Sequence, residues 1–122
     1  MAHVKVSTTD LTVEFSRYEG LWLRRDALTV PLAAVLRAVP VDAPLQAAYG
    51  TRKGIEISGF TKIGVWGLVK GPRRLVVAYR NRPGLLLTLD RAVTGQEYDE
   101  LVLSLDEARE VCRLIEQRQG NS

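Results

Sequence analysis

The chain has 122 residues, 46% of them hydrophobic and 25% charged, with a formal net charge of +3. That is enough for one hydrophobic core and too little for two, and the composition is that of an ordinary globular domain. No apolar run reaches the roughly 20 residues of a transmembrane helix, MAHVKVSTTD lacks the apolar stretch of a secretory signal, and the single cysteine, Cys112, excludes an internal disulfide. One domain over residues 1–122 is expected, with its core at about 11–117 and frayed ends at 1–8 and 119–122, in a reducing, cytoplasmic compartment.

Val4-Lys5-Val6 reads as a short strand ahead of LTVEFS. There Leu11, Val13 and Phe15 alternate with Thr12, Glu14 and Ser16, the period of a half-buried strand. GLWLRR reads as a further strand, with Leu21 and Leu23 on one face and Trp22 on the other. ALTV follows and stops at Pro31, whose missing amide ends a ladder. In PLAAVLRAVPV, Pro31 suits a first helical turn, whereas Pro40 and the β-branched end favour extension. One helical turn and then a strand are expected. Residues 42–62, with glycines at 50, 54 and 59, show no clear period and are expected to form a long loop.

Strand patterns then return. IGVWGLV and RLVVAYR flank the turn Lys70-Gly71-Pro72-Arg73, and Asn81-Arg82-Pro83-Gly84 leads into LLLTL. Polar residues 90–99 precede ELVLSL, where Leu101, Leu103 and Leu105 share a face. Ser104 and Glu107 stand at capping-box spacing. Ala108, Val111, Cys112 and Ile115 then form an apolar stripe, widened by Leu114 and stopped by Gly120. The expected class is mainly β with a C-terminal helix, the helix seated as a lid on a curled antiparallel sheet.

Four stretches carry a family resemblance: LTVPLAAVLRAVPV, YGTRKGIEISGF, the hairpin GVWGLV with RRLVVAY, and YDELVLSLDEAREV. Over about Leu11 to Ile115 the chain resembles bacterial, especially actinobacterial, pleckstrin-homology-like (PH-like) domains. In the second stretch Arg52-Lys53-Gly54 has lysine where the family pattern carries proline. The resemblance implies a bent antiparallel barrel of about seven strands plugged by the final helix. It implies no catalytic residues, and self-assembly in some members.

Charge is unevenly spread. Residues 50–93 hold nine Lys or Arg against Glu56 and Asp90, whereas residues 94–122 hold seven acids against Arg109, Arg113 and Arg118. A basic middle and an acidic tail can pair within one molecule, between copies, or with an outside partner. Arg52, Lys53, Lys70, Arg73 and Arg74 lie at two predicted loops and form a candidate anion-binding set. Arginine forks and lysine point charges suit phosphate, including lipid headgroups at the inner membrane face. The same cations also serve solubility beside a turn and discourage sheet-to-sheet aggregation. Trp66, Tyr79 and Tyr49 near Arg52, Arg73 and Arg80 supply the residue types of a nucleic-acid surface, but aromatics inside strands usually pack, and the acidic tail repels a polyanion.

Trp22 between Leu21 and the pair Arg24 and Arg25 has the composition of an interface hot spot; burial under residues 42–62 is the alternative. Catalytic chemistry is poorly supplied. The one histidine, His3, stands near the terminus, Cys112 lies on an apolar stripe, and zinc spacing cannot be built from one of each. Glu97-Tyr98-Asp99-Glu100 lacks a calcium-loop pattern, and the glycines of GTRKGIEISG match no nucleotide-binding motif. The sequence therefore predicts a non-enzymatic binding or scaffolding module without cofactor, metal or small-molecule substrate. Its partner is a protein or a second copy, with anionic lipid as the alternative and nucleic acid a distant one.

Overall fold

RLVVAY is apolar at successive positions, the composition of a strand covered on both faces, whereas DLTVE alternates, as a strand covered on one face must. The computed structural model describes residues 2–47, 52–57, 60–66, 73–94 and 98–120, and it bears out that difference. The alternating strands form a small antiparallel sheet in the order β1-β2-β3: β1 (His3–Val6), β2 (Asp10–Glu14) and β3 (Ala27–Pro31). A 3₁₀ turn, Leu32–Ala34, leads into β4 (Val35–Val41), which is the helical turn followed by a strand that the prolines predict.

The larger sheet has six strands: β4, then β5 (Arg52–Ile57), β6 (Thr61–Trp66), β7 (Arg74–Tyr79), β8 (Gly84–Leu89) and β9 (Glu100–Ser104). They lie in the order β4-β8-β9-β7-β6-β5. One face carries Ile63, Leu75, Val77, Leu85, Leu87, Leu101 and Leu103, which pack with Leu11, Val13, Leu28 and Val30 of the small sheet in one core. The other face holds a second cluster of Trp66, Val76, Ala78 and Val102, with Leu45 and Leu86 against it. Leu45 belongs to a 3₁₀ turn, Pro44–Ala47, that lies over β7, β8 and β9. Each fully buried leucine or valine contributes about 1.5–3 kcal/mol, so the two-faced sheet is the main source of cohesion.

After α1 (Arg17–Leu23) and the single-turn α2 (Arg91–Thr94), the C-terminal helix, α3 (Ala108–Gly120), seats Ala108, Val111, Cys112 and Ile115 in the main core. It lies against β1, β4, β8 and the Leu32–Ala34 turn. Gln119 Nε2 fastens its last turn by donating to the carbonyls of Leu32 (2.9 Å) and Val35 (2.8 Å). The expected C-terminal helix is present and packs into the core. Leu114 is not part of its buried stripe but sits on the solvent side. No helix among the described residues is long and apolar enough to cross a membrane.

Several expectations are corrected. The chain is mainly β with a C-terminal helix, but nine strands are formed among the described residues, in two sheets that do not close into a barrel. Nor is the pairing wholly antiparallel: β9 inserts between β7 and β8 and runs parallel to β7. Residues 80–83 carry the chain from β7 past one strand position, and β9 returns to fill it. Beyond the ladders on both sides, its end is fastened where the Ser104 hydroxyl accepts from the Tyr79 amide (2.8 Å) and the Leu105 amide donates to the Pro83 carbonyl (2.9 Å). Ser104 is thus spent on the sheet rather than on a capping box with Glu107. The expected loop at 42–62 contains β5 and the start of β6. His3–Val6 is paired along its length with Leu11–Glu14. The GLWL of GLWLRR is helical, not extended, as described next.

Candidate docking surface

Ser16-Arg17-Tyr18-Glu19 has the spacing of a capping box, and here the box forms. The Ser16 hydroxyl accepts from the Glu19 amide (3.3 Å) and Glu19 Oε1 accepts from the Ser16 amide (2.8 Å). This starts α1 (Arg17–Leu23), which ends where Arg24 turns left-handed at φ 57° and the amide of Arg25 reaches back to the Gly20 carbonyl (3.2 Å). The Phe15 amide donates to the Asp26 carbonyl (2.9 Å), so α1 sits as an insertion at the tip of the β2–β3 hairpin.

Glu19 is fully buried, and its second carboxylate oxygen accepts a hydrogen bond from the Tyr79 hydroxyl of β7. Burial raises the Tyr79 phenol well above its ordinary pKa, and the hydrogen bond and charge of Glu19 raise it further. The protonated phenol is therefore a fixed donor, and it bolts α1 to the large sheet.

With Glu19 and Gly20 turned inward, the spacing of 3.6 residues per turn brings Tyr18, Leu21 and Trp22 together on the outward side. They are 49%, 73% and 41% exposed. Beside them runs β5, the edge strand of the large sheet, which among the described residues is paired only with β6. Gly54 of β5 is exposed and lies opposite Gly64, both at φ 152°. A Cβ at Gly54 would stand 2.2 Å from the Ile63 carbonyl oxygen, so the two strands approach here as only glycine allows. Leu21, Trp22, Arg24 and Gly54 line an open groove of about 350 Å³.

Of the candidate interface residues, Trp22 and Arg24 therefore meet in one groove. Arg25 does not; its guanidinium lies over the ring of Tyr98, 5.6 Å from the centroid. The partners that sequence reasoning missed are Tyr18, Leu21 and Gly54, and the capping box at Ser16 was the signal that would have found the first two.

The candidate anion-binding set is less coherent. Lys70 lies outside the described residues, as do the side chains of Arg52 and Lys53, whose backbone forms the start of β5. Arg73 donates its amide to Asp99 Oδ2 (2.9 Å). Arg74 is buried, with Nε 2.9 Å from Glu100 Oε1 on the neighbouring parallel strand. Arg91 reaches Asp99 (3.7 Å) and Arg82 reaches Asp106 (3.5 Å), so at these pairs the basic middle meets the acidic tail within one molecule. Of the aromatic residues considered for stacking on bases, Trp66 is buried, Tyr79 is bonded to Glu19, and Tyr49 lies outside the described residues.

A second hollow, of about 440 Å³, opens beside Asp42, Glu56, Lys62, Arg80 and Arg82. Lys62 Nζ there donates to the Leu45 carbonyl (2.9 Å), and Arg80 stacks 5.0 Å from the centroid of Phe60. No family model matches the chain, and no curated protein or solved structure matches it.

Proposed function

We propose that the protein is a non-enzymatic, PH-like binding and scaffolding module that acts through protein–protein contact, self-assembly included. The exposure of Tyr18, Leu21 and Trp22 together, on a helix anchored by the Glu19–Tyr79 bond, carries this reading. Large apolar side chains clustered on a rigid support and flanked by arginine have the composition of an interface centre. The PH-like assignment rests on the sequence resemblance, on the mainly β architecture and on the helix seated over the core. The headgroup reading draws less support, because Arg74 is already engaged by Glu100.

Light scattering across protein and salt concentrations tests the proposal, comparing wild type with Leu21→Glu/Trp22→Glu. Wild type is expected to exceed the monomer mass as concentration rises, and the variant to stay at the monomer mass with an unchanged circular dichroism spectrum. Identical masses for the two proteins would remove α1 as the contact. Sedimentation with anionic vesicles, abolished by Lys53→Ala/Lys70→Ala/Arg73→Ala and not by the α1 variant, would favour the headgroup reading instead.

A further inference from the structure

The apolar side chains of α1 stand beside two cations. Arg17 and Leu21 are four residues apart on one line of the helix, and Arg24 lines the groove with Leu21 and Trp22. Both arginines are exposed, and among the described residues neither side chain makes a hydrogen bond or an ion pair. Glu19, the one acid of α1, is buried. The outward side of the helix is therefore apolar and cationic with no carboxylate of its own. A surface that covers it has to supply apolar contact and negative charge together. The same patch on a second copy does not: two-fold docking of α1 on α1 sets guanidinium against guanidinium with no acid between them.

Another surface of the chain does. Where β4 ends and α3 begins, an open hollow of about 540 Å³ has Pro40, Val41 and Pro83 on its wall with the carboxylates of Asp42, Glu107 and Glu110. These three acids are exposed, and among the described residues none is in an ion pair. Even with Asp106 shared by Arg82, the carboxylates of the hollow outnumber its two guanidiniums, Arg109 and Arg113. The hollow and the patch do not meet within one molecule. In the large sheet α1 lies against β5 and β6, the hollow is built on β4 and β8, and β9 and β7 stand between them. Resting on the self-assembly branch of the proposed function, we infer that α1 of one copy docks into the hollow at the start of α3 of a second copy. Leu21 and Trp22 meet Pro40, Val41 and Pro83, while Arg17 and Arg24 face Asp42, Glu107 and Glu110. Because the two surfaces differ, the contact is head-to-tail, and a pair of copies keeps one surface of each kind open for the next.

Two variants, each disabling one surface, test the arrangement. Sedimentation velocity is measured on wild type, on Leu21→Ser/Trp22→Ser, on Asp42→Lys/Glu107→Lys, and on an equimolar mixture of the two variants. Asp42 and Glu107 are exposed and lie outside the helices and strands, so their exchange spares the fold. Wild type is expected to grow past the dimer as concentration rises, and each variant alone to associate at least about tenfold more weakly. In the mixture, the intact α1 of one variant meets the intact hollow of the other. A one-to-one dimer is expected, and it stops there because both remaining surfaces are disabled. That dimer also shows that both variants are folded, and docking of α1 on α1 cannot produce it. No dimer in the mixture, with both circular dichroism spectra native, overturns the head-to-tail contact. Assembly lost in Leu21→Ser/Trp22→Ser but unchanged in Asp42→Lys/Glu107→Lys overturns the hollow as the partner surface and keeps the proposed α1 contact. Assembly indifferent to both variants overturns α1 as well. Wild type monomeric at all concentrations overturns this docking and the self-assembly branch, and leaves contact with a different protein as the remaining form of the proposed function.

Discussion

The Tyr79 hydroxyl donates to the carboxylate of Glu19, a fully buried acid on a helix that connects two strands of the other sheet. An unpaired carboxylate in that position would be costly, because a buried charge needs donors to replace water. Here the Ser16 amide and the Tyr79 phenol both donate to it. Tyr79→Phe removes one of them and is expected to destabilise the fold by about 1.5–3 kcal/mol, the usual range for a hydrogen bond to a charged group. Urea unfolding of the two proteins at neutral pH measures the difference. A loss below about 0.5 kcal/mol would mean that α1 is held by its apolar contacts alone.

The same bond sets a dependence on alkaline pH. Burial first, then the hydrogen bond and charge of Glu19, raise the Tyr79 phenol above its unfolded value of about 10. A group whose folded pKa is raised binds its proton more tightly in the native state. Its contribution is therefore complete below about pH 10 and is lost as pH climbs through the folded value. Wild type is expected to lose stability above pH 10 faster than Tyr79→Phe, so the gap between their urea midpoints should shrink from pH 9 to pH 11. A constant gap would argue that the phenol titrates normally.

How much of this was legible from the residues varied with the length of the pattern. The apolar stripe of α3 repeats over several turns, and the proline-bounded turn before β4 has its own chemistry, so both could be read directly. Over Leu21, Trp22 and Leu23, three residues fit a strand as well as a helix; only the Ser16–Glu19 spacing separates the two, and it places Leu21 and Trp22 on one side rather than opposite sides. β5 was hidden for a different reason. Its alternation runs through Arg52, Gly54 and Glu56, residue types that carry little strand propensity but suit an edge. The parallel placement of β9 beside β7 is a matter of topology, which local periodicity does not encode. Arg74 reads as a surface cation for the same reason: its partner Glu100 arrives only with that topology.

Arg74 and Glu100 form an ion pair that is mostly shielded from water, their side chains 9% and 14% exposed. Removing one partner of such a pair costs about 3–5 kcal/mol, while replacing both by apolar residues is often neutral. Glu100→Leu is therefore expected to destabilise by several kcal/mol, and Arg74→Met/Glu100→Leu to recover most of the loss. A thermal or urea double-mutant cycle measures the coupling. Additive losses in the double variant would show that the two side chains contribute independently.

Cys112 faces the core from α3. Burial, aided by the charge of Glu116, raises its thiol above the ordinary range, with Arg109 opposing. Thiolate is the reactive form, so a disulfide reagent at pH 8 is expected to modify Cys112 only as fast as the helix opens. Labelling kinetics in rising urea should converge on the rate for the unfolded chain at the unfolding transition. Fast labelling in the absence of urea would show that α3 lifts from the core without global unfolding.

Gly54 is where the edge strand and the groove meet, and its backbone makes a sharp test of both. At φ 152° a side chain is strained, and a Cβ would overlap the Ile63 carbonyl at 2.2 Å. Gly54→Ala is expected to cost about 2–4 kcal/mol, strain and overlap taken together. The loss should be local: amide exchange should accelerate in β5 and β6 while Leu75, Val77, Leu101 and Leu103 in the sheet centre keep their protection. Uniform loss of protection across β7 and β9 would mean that the edge pair unfolds only with the whole sheet. Because Leu21 and Trp22 share the groove with Gly54, a distorted β5 should also weaken any association made there, even though no apolar side chain has been removed.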